Sequence, residues 1–142
     1  MKLANLAKDY MKRAEVRLRS ASACYSNKDY PDVVRYSQEA VELSLKACLR
    51  AVGIEYPKEH DVSKVLNATS ERFPEWFRRE IPMLCDISFD LSSKRAPSLY
   101  GLEVIGKAPS EIFNEPDARE AFSNAKRVFR IAEKFLKEIK IL

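Results

Sequence analysis

The sequence predicts an all-α fold, a four-helix up-and-down bundle with additional short helices. Three observations lead there. Apolar residues recur at steps of three and four through the first and last segments of the chain. No two-residue alternation competes with that period. Asn27, Pro31, Gly53 and Pro74 stand where the periodic runs stop and start.

The elements follow in order. Leu3, Ala7, Tyr10, Ala14, Leu18, Ala21 and Tyr25 form one face of a long first helix. Asn27 suits a left-handed helix end, and Asp29 with Pro31 offers a cap and a first-turn proline, so the next helix returns antiparallel. That second helix turns Tyr30, Val34, Ser37, Val41, Leu45, Cys48 and Val52 inward and stops at Gly53, with Ile54 folding back toward Leu49. Asp61 reads as the N-cap of a shorter helix with Val62, Val65, Leu66, Thr69 and Phe73 inward, closed by Pro74. Pro82 predicts a short turn carrying Trp76 and Phe77, then a helix starting near Pro82 with Leu84, Cys85, Ser88 and Leu91 inward. Pro97 disfavours a helical Ala96, which predicts a helix end at Lys94-Arg95-Ala96 and an exposed turn over 98–101. Residues 101–115 are expected to be the most mobile, with at most one helical turn near Ser110. Asn114 and Asp117 flank Pro116 at the start of the last helix, whose inward face holds Ala118, Ala121, Phe122, Ala125, Phe129, Ala132, Leu136 and Ile139.

These 142 residues suit a single domain, 1–142, and 46% apolar composition is ample for one core without a metal or disulfide staple. No apolar run approaches the roughly 18 residues of a membrane span, and Asp9 interrupts the N-terminus before any leader-like stretch, so no membrane partner is expected. Three widely spaced cysteines, Cys24, Cys48 and Cys85, suggest reduced thiols in a cytoplasmic setting. The net charge of +4 is unevenly spread: residues 2–19 and 121–142 each hold six Lys/Arg against two Asp/Glu, and the remainder sums to −4. Arg127, Arg130, Lys134 and Lys137 form a stripe on the last helix, readable as a solvated face or as a surface for phosphate.

No phosphate loop, dinucleotide fingerprint, zinc-ligand spacing or nucleophile elbow is present, so most enzyme classes lose support and neither metal nor cofactor is expected. His60, the only histidine, precedes a helix start and is expected to bond backbone or water near that cap. The segment Lys94-Arg95-Ala96-Pro97-Ser98-Leu99-Tyr100-Gly101 is different in kind. It places a guanidinium beside a turn with an aromatic hydroxyl, so Arg95 either grips a phosphate in bidentate fashion or satisfies the last carbonyls of its helix.

Ala40-Val41-Glu42 with Leu45-Lys46-Ala47 and Gly53-Ile54, then Pro57-Lys58-Glu59-His60-Asp61-Val62, Arg95-Ala96-Pro97-Ser98-Leu99-Tyr100-Gly101, and Asp117-Ala118 with Ala121 and Ala125 succeed one another along most of the chain. In order and spacing they resemble the HEPN-domain proteins, small helical domains often paired with a minimal nucleotidyltransferase. The resemblance implies a four-helix bundle that forms a homodimer, with the loop arginines of both subunits facing a shared cleft. Many members are metal-independent ribonucleases whose signature is Arg, four to six residues, then His. Here Tyr100, Gly101 and Leu102 occupy those positions and no histidine follows. Phenols have a reference pKa of about 10 and are almost wholly protonated at pH 7, which makes them poor bases there. The resemblance therefore implies a non-catalytic module for a nucleotide or RNA, with Arg95 and Tyr100 at the cleft and Glu42 and Lys46, four apart on the second helix, as further ligand-binding candidates. Two alternatives stand beside it: a ribonuclease toxin of a toxin–antitoxin pair in which Tyr100 or a distant group replaces the histidine, and a purely structural partner subunit.

Overall fold

The computed structural model describes residues 2–142. Its helices are α1 (Lys2–Ser26), α2 (Tyr30–Ala51), α3 (Ser63–Ala68), α4 (Glu75–Tyr100), α5 (Pro109–Ile112) and α6 (Glu115–Glu138). Single 3₁₀ turns lie at Ser70–Arg72 and Glu103–Ile105. The long helices α1, α2, α4 and α6 make the bundle, and among the described residues none is long and apolar enough to cross a membrane.

Helix α2 is the central element, packing against α1, α6 and α4. With neighbours on three sides it buries more than one stripe: Val33, Ala40, Ala47 and Leu49 are enclosed together with the predicted Val34, Val41, Leu45 and Cys48. The α1–α2 turn forms where expected, but Lys28 (φ 59°), not Asn27, takes the left-handed position. Asp29 Oδ1 accepts from the Asp32 amide at 3.3 Å, capping α2 ahead of Pro31. At the other end the Ile54 amide donates to Leu49 O at 2.9 Å, the fold-back seen in the sequence. Helix α6 opens with a reciprocal capping box between Asn114 and Asp117. It buries Val128 and Phe135, and Phe135 meets the stacked rings of Phe73 and Phe77 at 5.2 Å to each.

Helix α4 departs from the sequence expectation. It runs unbroken through both Pro82 and Pro97, so there is no new start near Pro82 and no exposed turn over 98–101. Ser98 is in fact buried. An internal proline costs a helix about 3 kcal/mol. Burying Phe77, Ile81, Leu84 and Leu91, at roughly 1.5–3 kcal/mol each, outweighs two of them. Pro82 also lies on the solvent side, where water can satisfy the carbonyl it leaves unpaired. The inward stripe of α4 reads 77, 81, 84, 88, 91, 95, 98, which places Arg95 on the face that looks at α2.

Beyond α4, Gly101 (φ 74°) turns the chain, and the Leu102 and Lys107 backbones bond each other at 2.8 and 3.1 Å, closing the segment predicted to be most mobile. Val104, Ile105 and Tyr100 project from this region into solvent.

Candidate functional site

The middles of α1 and α2 and the last turns of α4 meet on one face of the bundle. Arg95 Nη1 donates to Gln38 Oε1 and to Glu39 Oε2, both at 2.9 Å. Glu39 also accepts from Arg17 Nε at 2.9 Å and Arg35 Nη1 at 3.3 Å. Gln38 Nε2 passes the chain of bonds on to Glu42 Oε1 at 2.9 Å, and Glu42 Oε2 accepts from Lys46 Nζ at 2.7 Å. The last partner of Glu42 is His60, whose Nδ1 lies 2.8 Å from Oε1.

Burial by itself would raise the pKa of both glutamates. For Glu39 the hydrogen bonds from Arg95 and Arg17 outweigh it, and for Glu42 those from Lys46, Gln38 and His60 do, so both carboxyls are held below the usual range and remain ionised. An ionised carboxylate only accepts, so the proton in the His60–Glu42 contact belongs to Nδ1. Nε2 of His60 is then the ring nitrogen left for other partners.

Two cavities share this network. One, of about 260 Å³, is lined by Arg13, Arg17, Glu39, Glu42, Leu43, His60 and Arg95. The other, of about 370 Å³, is lined by His60, Ser92, Arg95, Ala96, Leu99 and Tyr100. His60 and Arg95 form the wall between them. The first is a polar basin with three guanidiniums over two carboxylates, and the second has an aromatic and apolar side. The Ser92 hydroxyl, in the second, is buried without a partner.

Of the residues singled out in the sequence, Arg95 and Glu42 meet in the first cavity, and Tyr100 joins Arg95 in the second, 64% exposed at the last turn of α4. Lys46 is buried behind Glu42 and lines neither cavity; its ammonium buttresses the carboxylate. Arg95 does not close its helix, because α4 continues past it to Tyr100. His60 bonds Glu42 rather than the neighbouring backbone; α3 starts one residue later than the sequence suggests, with Val62 rather than Asp61 at its N-cap and no side-chain cap, while Asp61 accepts from the Ser63 amide and from Ser88 Oγ, both at 2.9 Å. Sequence reading missed Arg13, Arg17, Gln38 and Glu39. The four-residue step from Arg13 to Arg17 was the available signal, but the register of α1 on α2 that brings Arg17 to Glu39 and Arg13 to the same cavity was not.

The basic stripe of α6 contributes no residue to either cavity. Lys134 Nζ sits 4.1 Å over the Trp76 ring, whose Nε1 donates to Glu138, and Lys137 pairs with Glu133 at 3.8 Å. Among the described residues the donors closest to a metal arrangement are Cys24, Asp29 and Asp32. Asp29 is already the cap of α2 and Asp32 pairs with Arg35, while burial and the two carboxylates push the Cys24 thiol up, away from the thiolate a metal needs.

An all-α bundle with an arginine-lined polar cleft is the class these features define. The chain belongs to the HEPN domain family, whose pattern matches residues 7–141. It is 31% identical over 138 residues to the "Putative toxin MJ1304" of Methanocaldococcus jannaschii, covering 93% of this chain and 89% of that protein. The fold is similar to the crystal structure of TT1696 from Thermus thermophilus (TM-score 0.75, 21% identity, 92% of this chain and 98% of that one). It is also similar to that of ST0689, an archaeal HEPN homologue (TM-score 0.68, 25% identity, 90% and 95%).

Proposed function

We propose that the cleft binds the phosphate of a nucleotide or of an RNA segment, and that the protein works as a binding module in a twofold dimer beside a nucleotidyltransferase partner. One observation carries the reading. Arg13, Arg17 and Arg95 converge on a single cavity with guanidinium N–H groups uncommitted, since Arg95 makes both of its bonds through Nη1 and Arg17 makes its bond through Nε. Planar guanidiniums suit phosphate oxygens, and the adjoining cavity offers Tyr100 and Leu99 to a base or ribose. The likeness to a protein described as a toxin supports a toxin–antitoxin setting for the module. The dimer is supported by the exposed apolar residues Tyr100, Leu102, Val104 and Ile105 beside the cleft, a cluster that a solitary bundle leaves in water.

Titration calorimetry with nucleoside monophosphates and short RNAs tests the reading. Arg95→Ala should cost about 1.5–3 kcal/mol of binding, the range for hydrogen bonds to charged groups. Lys134→Ala, on the outer stripe, should cost less and mainly flatten the salt dependence. Equal losses at the two positions, or no loss at Arg95, would overturn a cleft in favour of diffuse attraction. A 16.3 kDa species in sedimentation at tens of micromolar would overturn the dimer.

A further inference from the structure

The cleft contains one side chain of the type whose charge changes near neutral pH. His60 is the only histidine of the chain, and the loop ahead of α3 carries it to the wall between the two cavities, beside Arg95. That loop is tied down immediately after it, where Ser88 Oγ of α4 donates to Asp61 and accepts from the Val62 amide at 3.1 Å. Glu42 takes the hydrogen bond from Nδ1–H, so in the neutral ring Nε2 carries a lone pair and is the nitrogen that can meet a ligand. A lone pair repels a phosphate oxygen, whereas an Nε2–H would donate to it. The surroundings of the ring pull both ways on that second proton. Arg13 and Arg17 of α1 and Arg95 of α4 oppose a further positive charge, while Glu39 and Glu42 of α2 favour one. Further ionisable groups nearby are Lys46 of α2, bonded to Glu42, Tyr100 of α4, and Lys58, Glu59 and Asp61 on the loop itself.

We propose that anion binding in the cleft is coupled to the uptake of one proton by His60, so that pH sets the affinity for a phosphate held by Arg95, Arg17 and Arg13. The inference rests on the phosphate-binding reading and adds the regulation of that site. A bound phosphate places negative charge among the guanidiniums, which weakens their opposition to a charged ring, and it offers Nε2–H an acceptor. Both effects stabilise the imidazolium. Linkage makes the coupling reciprocal: the factor by which the anion favours the proton is the factor by which the proton favours the anion. The His60 side chain is 56% exposed, so solvent screens the pair and an effective dielectric of ~40–80 applies. A unit charge ~5 Å from the phosphate then changes affinity about 4- to 17-fold. The charged groups that share the first cavity do not compete for this effect. Guanidiniums stay protonated, and Glu39 and Glu42, held below the usual carboxylate range, stay ionised where imidazoles titrate. The cleft therefore fills as pH falls and empties as pH rises.

The test is calorimetric titration of the full chain, free of added histidines, with diuridine monophosphate, whose phosphodiester and bases keep a constant charge between pH 5.5 and pH 8. Repeating it in buffers of different ionisation enthalpy counts the protons taken up. Wild type should bind more tightly at each step down in pH, towards a limit of about 4- to 17-fold, and should take up as much as one proton per site. His60→Gln should take up none and bind at every pH within about threefold of wild type at pH 8. A second measurement uses the wild-type chain alone. With one histidine, a single imidazole Cε1–H resonance follows the ring through its titration, and saturating dinucleotide should place the midpoint about 0.6–1.2 higher in pH, the same 4- to 17-fold expressed as a logarithm. PH-dependent affinity or proton uptake that persists in His60→Gln would overturn the proposal, as would a midpoint that the dinucleotide leaves in place. Wild-type binding that is equally tight at pH 5.5 and pH 8 would also overturn it while leaving the phosphate-binding reading intact, and absence of binding at every pH would remove both.

Discussion

Glu39 holds the arginines of the cleft together, so its neutralisation should push stability and anion affinity in opposite directions. In Glu39→Gln the acceptor shape survives but the charge does not. Three guanidinium contacts, from Arg95 and Arg17 at 2.9 Å and from Arg35 at 3.3 Å, lose their charged partner. Bonds to charged groups are worth about 1.5–3 kcal/mol each, but the amide oxygen retains part of every bond, which leaves a net loss of about 1–3 kcal/mol. For a chain of this length that lowers Tm by roughly 3–10 °C. A phosphate in the cavity, by contrast, no longer faces a carboxylate. A unit charge ~5 Å away, at an effective dielectric of ~40–80, repels by about 0.8–1.7 kcal/mol, so affinity for a nucleoside monophosphate should rise about 4- to 17-fold. Thermal unfolding followed by circular dichroism reads the first effect, and calorimetric titration at low salt reads the second. A variant that is less stable and also binds phosphate more weakly would refute the cleft geometry, because Glu39 would then be helping the ligand rather than competing with it. A variant with unchanged Tm would show that the three contacts carry no stability.

Two further outcomes concern acid stability and the turn after α4. Glu39 and Glu42 both have folded-state pKa values below their unfolded ones, so their contribution to stability is complete above the ordinary glutamate range and is lost as pH falls through and below it. Melts between pH 7 and pH 2.5 should show a steep acid loss that is shallower in Glu39→Gln, and parallel curves would refute the assignment. Gly101→Ala should destabilise the protein by at least 2 kcal/mol, since a Cβ there would sit 2.0 Å from Lys107 O on a backbone already at φ 74°. Denaturant unfolding measures this, and a loss under about 0.5 kcal/mol would mean that the bridge between Leu102 and Lys107 yields easily.

The amino-acid sequence by itself determined the all-α class, the four long helices and most of their ends. Those features are written in local chemistry: the three- and four-residue recurrence of apolar side chains, the Asp29–Pro31 and Asn114–Asp117 helix starts, and Gly53 as a stop. It also singled out Arg95, Tyr100 and Glu42, which the fold gathers around two adjoining cavities. Tertiary structure decided the rest. Local rules broke α4 at Pro82 and Pro97, yet the helix is continuous, because the apolar stripe from Phe77 to Leu91 gains more from burial than two prolines cost. That continuity moves Arg95 from a helix end to an inward face opposite Gln38 and Glu39, 57 and 56 positions away. His60 was visible as a lone histidine ahead of a cap, and nothing local tied it to Glu42, 18 residues earlier, or to Arg95. Helix periodicity reports which face of each helix is apolar, but the rotation and register of α1, α2 and α4 upon one another emerge only when all their faces pack at once. The cleft lies where those three registers meet.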